Sequence, residues 1–403
     1  MIGGGQATGR CMDHKRILIS GGGIAGLTLA IQLKHNGFDP LVIEREHGLR
    51  REGYMMDFFG TGWDVAARMG LTERLRAVRY PIDAMEFVYS DGRPFLHMPI
   101  ERMRRALNDN YVYLRRGDLE RILADRARAA GVELRYGVSL AALDDRGGAV
   151  LARFEDGGED EFELVVGADG VYSRVRQLIF GPQRQFARFL GLYVAAFHVA
   201  RGELPIGRMV KIYQEAGRMA MIYPLDEQRL DATFVLRHDE VKVPHAERVA
   251  FLRERVRGAG WILEDVLREH TADEPIFFDS VTQIVMPQWH RGRVALIGDA
   301  CGCLTLLAGQ GSHMAMAGGY VLAQELARQT GHVSAFANYQ NFLKPPVDKK
   351  QKDAARFARV FVPSSGSQLW LRRLALRLLF SRALIKYGMA SFGAKSVLAG
   401  HYN

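Results

Sequence analysis

The sequence has few cysteines and no long uncharged apolar run. Its 403 residues include three cysteines, Cys11, Cys301 and Cys303, which are too few for a disulfide framework. No His and Cys residues have the spacing of a zinc site, so no metal is predicted. No run of about 18 uncharged apolar residues occurs, so we expect no transmembrane helix and a cytoplasmic protein.

Acidic residues are absent after Asp353, whereas the last 50 residues carry eight basic ones. Without these eight, the net charge of +9 falls to +1, so the rest of the chain is nearly neutral. A net positive charge that comes almost entirely from the tail does not indicate a nucleic-acid-binding domain, so no nucleic-acid partner is predicted.

Length and composition predict a soluble protein with more than one packed unit. The chain exceeds the roughly 250–300 residues at which a single core stops growing. Apolar residues make up 48% and charged residues 25%, as in ordinary globular proteins. Residues 1–15 are glycine-rich and lack an apolar core, so we expect a disordered leader rather than a secretory signal.

The first ordered unit is a β-α-β pattern. Residues 16–20 predict a buried strand, GGGIAG follows at 21–26, and a helical pattern then ends at Gly37. The GxGxxG positions are Gly21, Gly23 and Gly26, with Ala25 between the last two. This arrangement brings a helix N-terminus to a pyrophosphate. Glu44 ends the next strand and is placed to bind ribose hydroxyls, which leaves NAD and FAD both open.

Two later segments narrow this choice. Asp169 and Gly170 end an apolar strand, and Asp299 ends another. The GQG segment that follows, with Gly309 and Gly311, begins a helix whose backbone N–H groups suit an electron-rich ligand edge. A carboxylate at Asp299 suits the hydroxyls of a ribityl chain, which favours FAD.

These three motifs, in this order, resemble those of the class A flavoprotein monooxygenases, the superfamily of para-hydroxybenzoate hydroxylase. The resemblance spans residues 16 to about 345. It implies an α/β fold in which a Rossmann-like FAD-binding domain is interrupted by a β-rich substrate domain and followed by a C-terminal helical extension. The implied FAD-binding domain comprises residues 16–80, 105–185 and 280–345. The implied substrate domain comprises residues 81–104 and 186–279, and the extension comprises residues 346–403.

The resemblance also implies the cofactor site. Noncovalent FAD is expected at Gly21, Gly23, Ala25, Gly26, Glu44, Arg45, Arg116, Asp169, Asp299, Gly309 and Gly311, with Arg50 or Arg51 as weaker candidates. The implied reaction uses NADPH and O₂, and a flavin C4a-hydroperoxide hydroxylates an aromatic or polycyclic, phenolic or enolic substrate. His198, Tyr213 and Tyr223 are candidates for a base in the substrate sheet.

The chain is most similar in appearance to the tetracycline-inactivating branch, through LRREGYMMDFFG, LRRGDLERIL and the segment around Asp299. It departs from the family between Asp299 and Gly309, where the usual proline beside the flavin is missing. We therefore expect a less fixed backbone there. A tailoring enzyme of epoxidase or Baeyer-Villiger type and a non-catalytic flavin-binding protein remain as alternatives.

The tail contains an amphipathic helical pattern. Leu371, Leu374, Leu378 and Ile385 fall on one stripe with arginines beside it. Two interpretations stay open. The helix docks against the body near the substrate entrance, or it attaches to a surface of anionic lipid.

Overall fold

The structure, a computed structural model, describes residues 16–49, 55–270, 276–305, 309–380 and 395–402. The predicted leader, residues 1–15, and the weaker candidates Arg50 and Arg51 lie outside these ranges.

The helices and strands of these ranges follow in chain order. The strands are β1 (Arg16–Ser20), β2 (Asp39–Glu44), β3 (Met55–Phe59), β4 (Ala84–Val88), β5 (Pro94–Pro99), β6 (Tyr111–Arg115), β7 (Glu133–Tyr136), β8 (Leu140–Asp145), β9 (Val150–Phe154), β10 (Glu159–Phe162), β11 (Leu164–Gly167), β12 (Ala187–Ala200), β13 (Met209–Glu215), β14 (Arg218–Pro224), β15 (Arg229–Arg237), β16 (Phe277–Ile284), β17 (His290–Arg291) and β18 (Val294–Leu296). The α-helices are α1 (Ile24–His35), α2 (Gly60–Arg68), α3 (Thr72–Ala77), α4 (Ile100–Ala106), α5 (Arg116–Ala129), α6 (Arg174–Ile179), α7 (Arg248–Val256), α8 (Leu263–Arg268), α9 (Asp299–Gly302), α10 (Gly311–Arg328), α11 (His332–Phe361) and α12 (Gly366–Leu379).

The first sheet has the order β17-β18-β11-β1-β2-β7 and is parallel except for β17. Its central strand β1 is apolar on both faces, with Ile17, Leu18 and Ile19 fully buried, as expected where helices cover both faces of a parallel sheet. The predicted β-α-β unit is confirmed. Helix α1 is buried along most of its length because it also packs against α10.

The second sheet has the order β16-β12-β15-β14-β13-β4-β5. Its pairs are antiparallel, as predicted, except that β13 and β4 run parallel. Alternation along β14 puts Met219, Met221 and Tyr223 on one face and Ala220 and Ile222 on the other. The face with Ala220 and Ile222 packs against α7 and α8. The face with Met219, Met221 and Tyr223 lines a cavity.

The C-terminal region begins with a long helix. Helix α11 runs through Pro345 and Pro346, so the predicted boundary at residue 346 falls inside it. Helix α12 then lies across the open face of the second sheet. The predicted class, an α/β fold with a β-rich insert and C-terminal helices, is confirmed. Within the described ranges, no helix combines the length and apolar character needed to cross a membrane.

Candidate functional site

One large cavity extends from the carboxyl end of β1 to the open face of the second sheet, with a volume of about 1230 Å³. Ten of the predicted cofactor residues line it: Gly21, Gly23, Ala25, Glu44, Arg45, Arg116, Asp169, Asp299, Gly309 and Gly311. The eleventh, Gly26, does not line it and lies behind the glycine turn. The three separated motifs are thus assembled around one space.

The turn after β1 needs glycine for steric reasons. Gly21 has a φ of +115°, and a Cβ there would lie 2.4 Å from the carbonyl oxygen of Ala168. A Cβ at Gly26 would lie 2.0 Å from the carbonyl oxygen of Gly21. Gly23 caps α1 at the cavity, and no acidic residue occupies the first turn of that helix. The helix start is therefore suited to a phosphate.

Glu44 fixes the turn as well as facing the cavity. Its Oε2 accepts the Gly22 N–H at 2.8 Å, and its Oε1 accepts the Glu46 N–H at 3.1 Å. Each carboxylate oxygen has a further lone pair, which is available to ribose hydroxyls. Arg45 is exposed and forms an ion pair with Glu46 at 3.4 Å.

Arg116, at the start of α5, connects two acidic side chains. It forms an ion pair with the buried Glu120 at 2.7 Å, and its charge also acts on Asp299. Burial raises the pKa of Asp299, and the Arg116 charge and the Cys303 thiol oppose that rise. Asp299 lies beside Gly311, whose Cβ position is 3.8 Å from Asp299 Oδ1. Glu120 was not predicted, although its spacing four residues after Arg116 on a helix is visible in the sequence.

One carboxylate oxygen of Asp169 accepts hydrogen bonds, and the other has no donor among the described residues. Its Oδ2 accepts the N–H groups of Arg174 at 2.7 Å and Val175 at 3.0 Å. Its Oδ1 is buried without a donor among the described residues, and burial raises the pKa of this carboxyl. A buried acceptor without a partner is costly. This orphaned oxygen, with the glycine cradle and Asp299, fits a polar ligand with phosphate and hydroxyl groups such as FAD.

Arg176 joins two of the motifs from behind. Its side chain is fully buried and donates to the carbonyl oxygens of Ala300 at 2.8 Å and Val171 at 2.6 Å. The first carbonyl belongs to α9, which begins at Asp299, and the second follows the Asp169–Gly170 pair. Burial lowers the pKa of Arg176. This arginine fixes the relative positions of the two motifs.

Two buried glutamines hold the segment that lacks the usual proline. Gln351 on α11 donates to the carbonyl oxygens of Ile284 at 2.7 Å and Cys303 at 2.9 Å. Gln283 donates to that of Leu304 at 2.9 Å. The backbone after Asp299 is therefore anchored at Cys303 and Leu304, and the less fixed backbone expected from the missing proline stays a prediction. Residues 306–308 lie outside the described ranges.

Replacing Gln351 with methionine should lower the free energy of unfolding by about 2–3 kcal/mol. The variant keeps the side-chain volume but leaves two buried carbonyl groups without this donor, at about 1–3 kcal/mol each. Chemical denaturation of the purified protein measures the change. Lys352→Met, at the exposed neighbouring position, is the matched control and should stay within about 0.5 kcal/mol of wild type. Equal stabilities for the two variants would contradict this role of Gln351.

A second polar cluster lies where β3 and β6 meet the start of α10. Tyr111 donates to Asp57 Oδ1, and the backbone carbonyl of Asp57 accepts from His313 Nε2 at 3.2 Å. Burial raises the pKa of Asp57. Burial, aided by the charge of Lys350, lowers the pKa of His313 to about 4. His313 is therefore a neutral donor that ties α10 to β3.

This histidine should make the protein sensitive to mild acid. Because the folded-state pKa is about 4 and the ordinary value is 6.5, the contribution of His313 is complete above about pH 6.5 and is lost as pH falls toward 4. The loss amounts to about 3 kcal/mol. Stability measured from pH 7.5 to 4.5 should fall more steeply for wild type than for His313→Gln. The exposed His35→Gln control should follow wild type, and parallel curves for all three proteins would refute the assignment.

The part of the cavity against the second sheet is predominantly apolar. Seven methionines line it: Met55, Met56, Met85, Met98, Met103, Met219 and Met221. Phe59, Phe87, Tyr113, Phe357 and Phe361 add aromatic surface. Methionine adapts to irregular shapes, so this part suits a bulky apolar molecule. Methionine was not singled out in the sequence, because its role appears only when five separate elements converge.

The three candidate bases occupy different surroundings. Tyr223 lines the cavity, accepts the Met55 N–H at 3.2 Å and lies 3.2 Å from Thr233 Oγ1. His198 lies on the same face of the sheet but outside the cavity lining, with Nε2 3.5 Å from Asp231 Oδ2. Burial raises the pKa of Asp231 and raises that of Tyr223 well above its ordinary value.

Tyr213 lies on the opposite face and does not reach the cavity. Its hydroxyl donates to Glu215 Oε2 at 2.8 Å, and its ring packs near Trp261. Burial and the Glu215 carboxylate raise the pKa of Tyr213 to about 12. Of the three residues, Tyr223 alone contacts the space in which a substrate would lie.

Helix α12 closes the apolar end of the cavity, with Leu371, Arg372 and Leu376 on its inner side. The Arg372 Nε donates to Gln214 Oε1 at 3.0 Å, and Nη1 donates to the carbonyl of Val360 at 2.8 Å. The charged group also lies over the ring of Phe361 at 5.2 Å. The inner side of the helix therefore docks against the body. The predicted stripe position Ile385 is outside the described residues.

The end of the tail is anchored on α2 and α10. Leu398 is fully buried, Ser396 Oγ donates to Asp64 Oδ2 at 2.7 Å, and the Tyr402 hydroxyl donates to Glu325 Oε1 at 3.0 Å. The extension therefore contacts both α2 and α10 as well as the cavity. Across the described ranges, no group of three or more His, Cys, Asp and Glu side chains is arranged to hold a metal.

Comparisons with known proteins agree with this geometry. Residues 14–338 match the family model described as an FAD binding domain. An uncharacterized protein of Mycobacterium tuberculosis is 33% identical over 84% of this chain and 92% of its own length. A flavin-dependent monooxygenase from an unknown prokaryotic organism is 31% identical over 84% of this chain and 89% of its own.

A solved structure adds support at the level of the fold and the sequence. The tetracycline destructase Tet(55) superposes with a TM-score of 0.81 at 28% identity, covering 96% of this chain and 99% of its own. The family match extends over well more than half of the chain. The chain therefore belongs to the class A flavoprotein monooxygenases, a family of FAD-binding oxidoreductases.

Proposed function

We propose that this protein uses NADPH and O₂ to insert one oxygen atom into a bulky, largely apolar polycyclic or aromatic molecule with a phenolic or enolic hydroxyl. In the balanced reaction, NADPH, a proton, O₂ and substrate give NADP⁺, water and hydroxylated substrate. The observation that carries the proposal is the single cavity that joins the glycine turn to the methionine-rich pocket.

The cofactor end of the cavity supports FAD through five groups of residues. The turn from Gly21 to Gly26 would hold the pyrophosphate, Glu44 and Arg45 the ribose end, and Asp299 the ribityl chain. Gly309 and Gly311 would face the pyrimidine ring, and Asp169 Oδ1 would accept from a nearby ligand donor. When bound, FAD supplies electron transfer from NADPH and activation of O₂.

The substrate end supports binding without strong charge pairing. Its methionines and aromatic rings bury an apolar skeleton and exclude water from the reacting centre. The Tyr223 hydroxyl would bind the hydroxyl oxygen of the substrate and keep its own proton, because its pKa is raised. Helix α12 would enclose the outer end of the substrate.

Substrate-stimulated NADPH oxidation tests the proposal. FAD-loaded protein is incubated with a panel of polycyclic phenols and enols, with tetracycline as the first compound, and products are identified by mass spectrometry. We expect at least one compound to accelerate NADPH loss and to gain one oxygen atom. If the protein binds FAD but no compound of the panel accelerates NADPH loss, the protein is instead a non-catalytic flavin-binding protein.

A further inference from the structure

The exposed apolar side chains of the described residues are concentrated near the C-terminal helix. Eleven large apolar side chains are exposed within the described ranges, and six of them fall between residues 360 and 379. They are Val360, Trp370, Leu371, Leu374, Leu378 and Leu379. Scattered exposed apolar residues are ordinary, but a group of this kind marks an interaction surface.

Helix α12 has two apolar sides. Leu371, Leu376 and Leu379 line the cavity on its inner side. Trp370, Leu374 and Leu378 do not line it, and they follow one another at intervals of four residues, which places them on one stripe. Trp370 is 66% exposed and Leu378 56%. We call these three residues the outer face.

Two arginines keep the outer face directed away from the body. The guanidinium of Arg373 lies 4.8 Å from the ring centre of Tyr89. Arg377 donates to the Tyr89 hydroxyl at 3.0 Å and lies 5.8 Å from the ring centre of Phe95. Because these contacts fix the rotation of α12, the outer face is a stable feature of the surface.

The chain segment that carries this surface contributes charge of one sign only. No acidic residue follows Asp353, and the basic residues Arg356 and Arg359, shortly before α12, are exposed. A second copy of the chain would bring like charges together, which opposes association. A helix with exposed Trp and Leu and neighbouring basic residues is the combination that binds at the interface of anionic lipid.

We propose that the outer face of α12 docks on an anionic lipid membrane, so that the apolar end of the cavity, which α12 closes, lies at the lipid surface. Apolar substrate dissolved in the bilayer would then enter the methionine-rich pocket without crossing water. Membrane docking is inferred from the surface of α12 alone, whereas the delivery of substrate rests on the proposed function.

Vesicle binding of the full chain tests the docking without any substrate. Sedimentation is measured with vesicles of phosphatidylcholine alone and of equal parts phosphatidylcholine and phosphatidylglycerol. We expect binding to the mixed vesicles that weakens as salt is added, with a blue shift of tryptophan emission from Trp370. The triple variant Trp370→Gln, Leu374→Gln, Leu378→Gln should bind at least about tenfold more weakly.

A matched variant controls for general loss of exposed apolar surface. Val241→Gln, Val285→Gln and Val333→Gln change three exposed residues outside α12 and should leave vesicle binding unchanged. The proposal is overturned if the outer-face variant binds like wild type, or if both kinds of vesicle bind equally. It is also overturned if the outer face mediates a dimer in solution and no vesicle binds.

Turnover of a water-soluble phenol is measured separately and should be the same in wild type, the outer-face variant and the control variant. Failure of the proposed function is therefore distinguished from failure of membrane docking.

Discussion

Replacing Gly26 with valine is expected to abolish FAD binding. Gly26 does not touch the cavity, but its Cβ position lies 2.0 Å from the carbonyl oxygen of Gly21 and 3.2 Å from a side-chain carbon of Ile19. A side chain there must push α1 away from β1, which moves the N–H groups that face the phosphates. Flavin content after purification, read from absorbance, measures the effect.

The matched control for this variant is Gly148→Val. Gly148 has no atom within 4 Å of its Cβ position and no positive φ, so this change should leave flavin content unchanged. Added FAD should raise the melting temperature of wild type and the control but not that of Gly26→Val, because only protein that binds a ligand is stabilised by it. Retention of FAD by Gly26→Val at the wild-type ratio would show that close packing of the turn is not required.

Replacing Met221 with tryptophan should lower kcat/KM by about a hundredfold or more while FAD stays bound. Met221 lines the apolar pocket on the open face of the second sheet, distant in sequence from all three cofactor motifs. The larger ring would occupy space that the substrate needs, and a displacement of about 1 Å can cost this much in rate. Steady-state kinetics with the best substrate of the panel measure the effect.

Met221→Leu is the matched control, because it changes shape with little change in volume. It should stay within about threefold of wild type in kcat/KM and retain FAD. If Met221→Trp turns over substrate as fast as wild type, the substrate does not lie against the second sheet and the assignment of the pocket fails.

The cofactor half of the site could be predicted because it follows local rules. A strand, a GxGxxG turn and a helix occur within one short segment. Gly26 is required because of a backbone contact with Gly21 inside that segment, whereas Gly21 has a positive φ and lies against the distant Ala168 carbonyl. Asp169 and Asp299 could be placed in the same way, since each follows an apolar strand. The resemblance then supplied their order around one cofactor.

The substrate half could not be predicted to the same depth, because it depends on strand register. Tyr213 is paired with Ala220, whose side chain lies on the covered face, whereas Tyr223 is paired with Asp231 on the cavity face. A shift of one residue exchanges the two faces, and the sequence does not specify the pairing. The two glutamines on β16 and α11 are likewise brought together only by tertiary contacts.

The C-terminal region shows where a local rule does not hold. A residue before proline usually leaves the helical conformation, but α11 runs through both Pro345 and Pro346. Helix α11 continues to Phe361 because its buried residues, among them Tyr339, Val347 and Ala358, stay in contact with the body on both sides of the prolines.

The most direct test of the central claim is to follow the oxygen atom. FAD-loaded protein, NADPH and the best substrate are incubated under isotopically labelled dioxygen in unlabelled water, and the product is weighed by mass spectrometry. We predict one labelled oxygen atom in each product molecule and one NADPH consumed per product in a well-coupled reaction. A product whose added oxygen comes from water, or NADPH oxidation that yields only hydrogen peroxide with every substrate, would contradict the assignment as a monooxygenase.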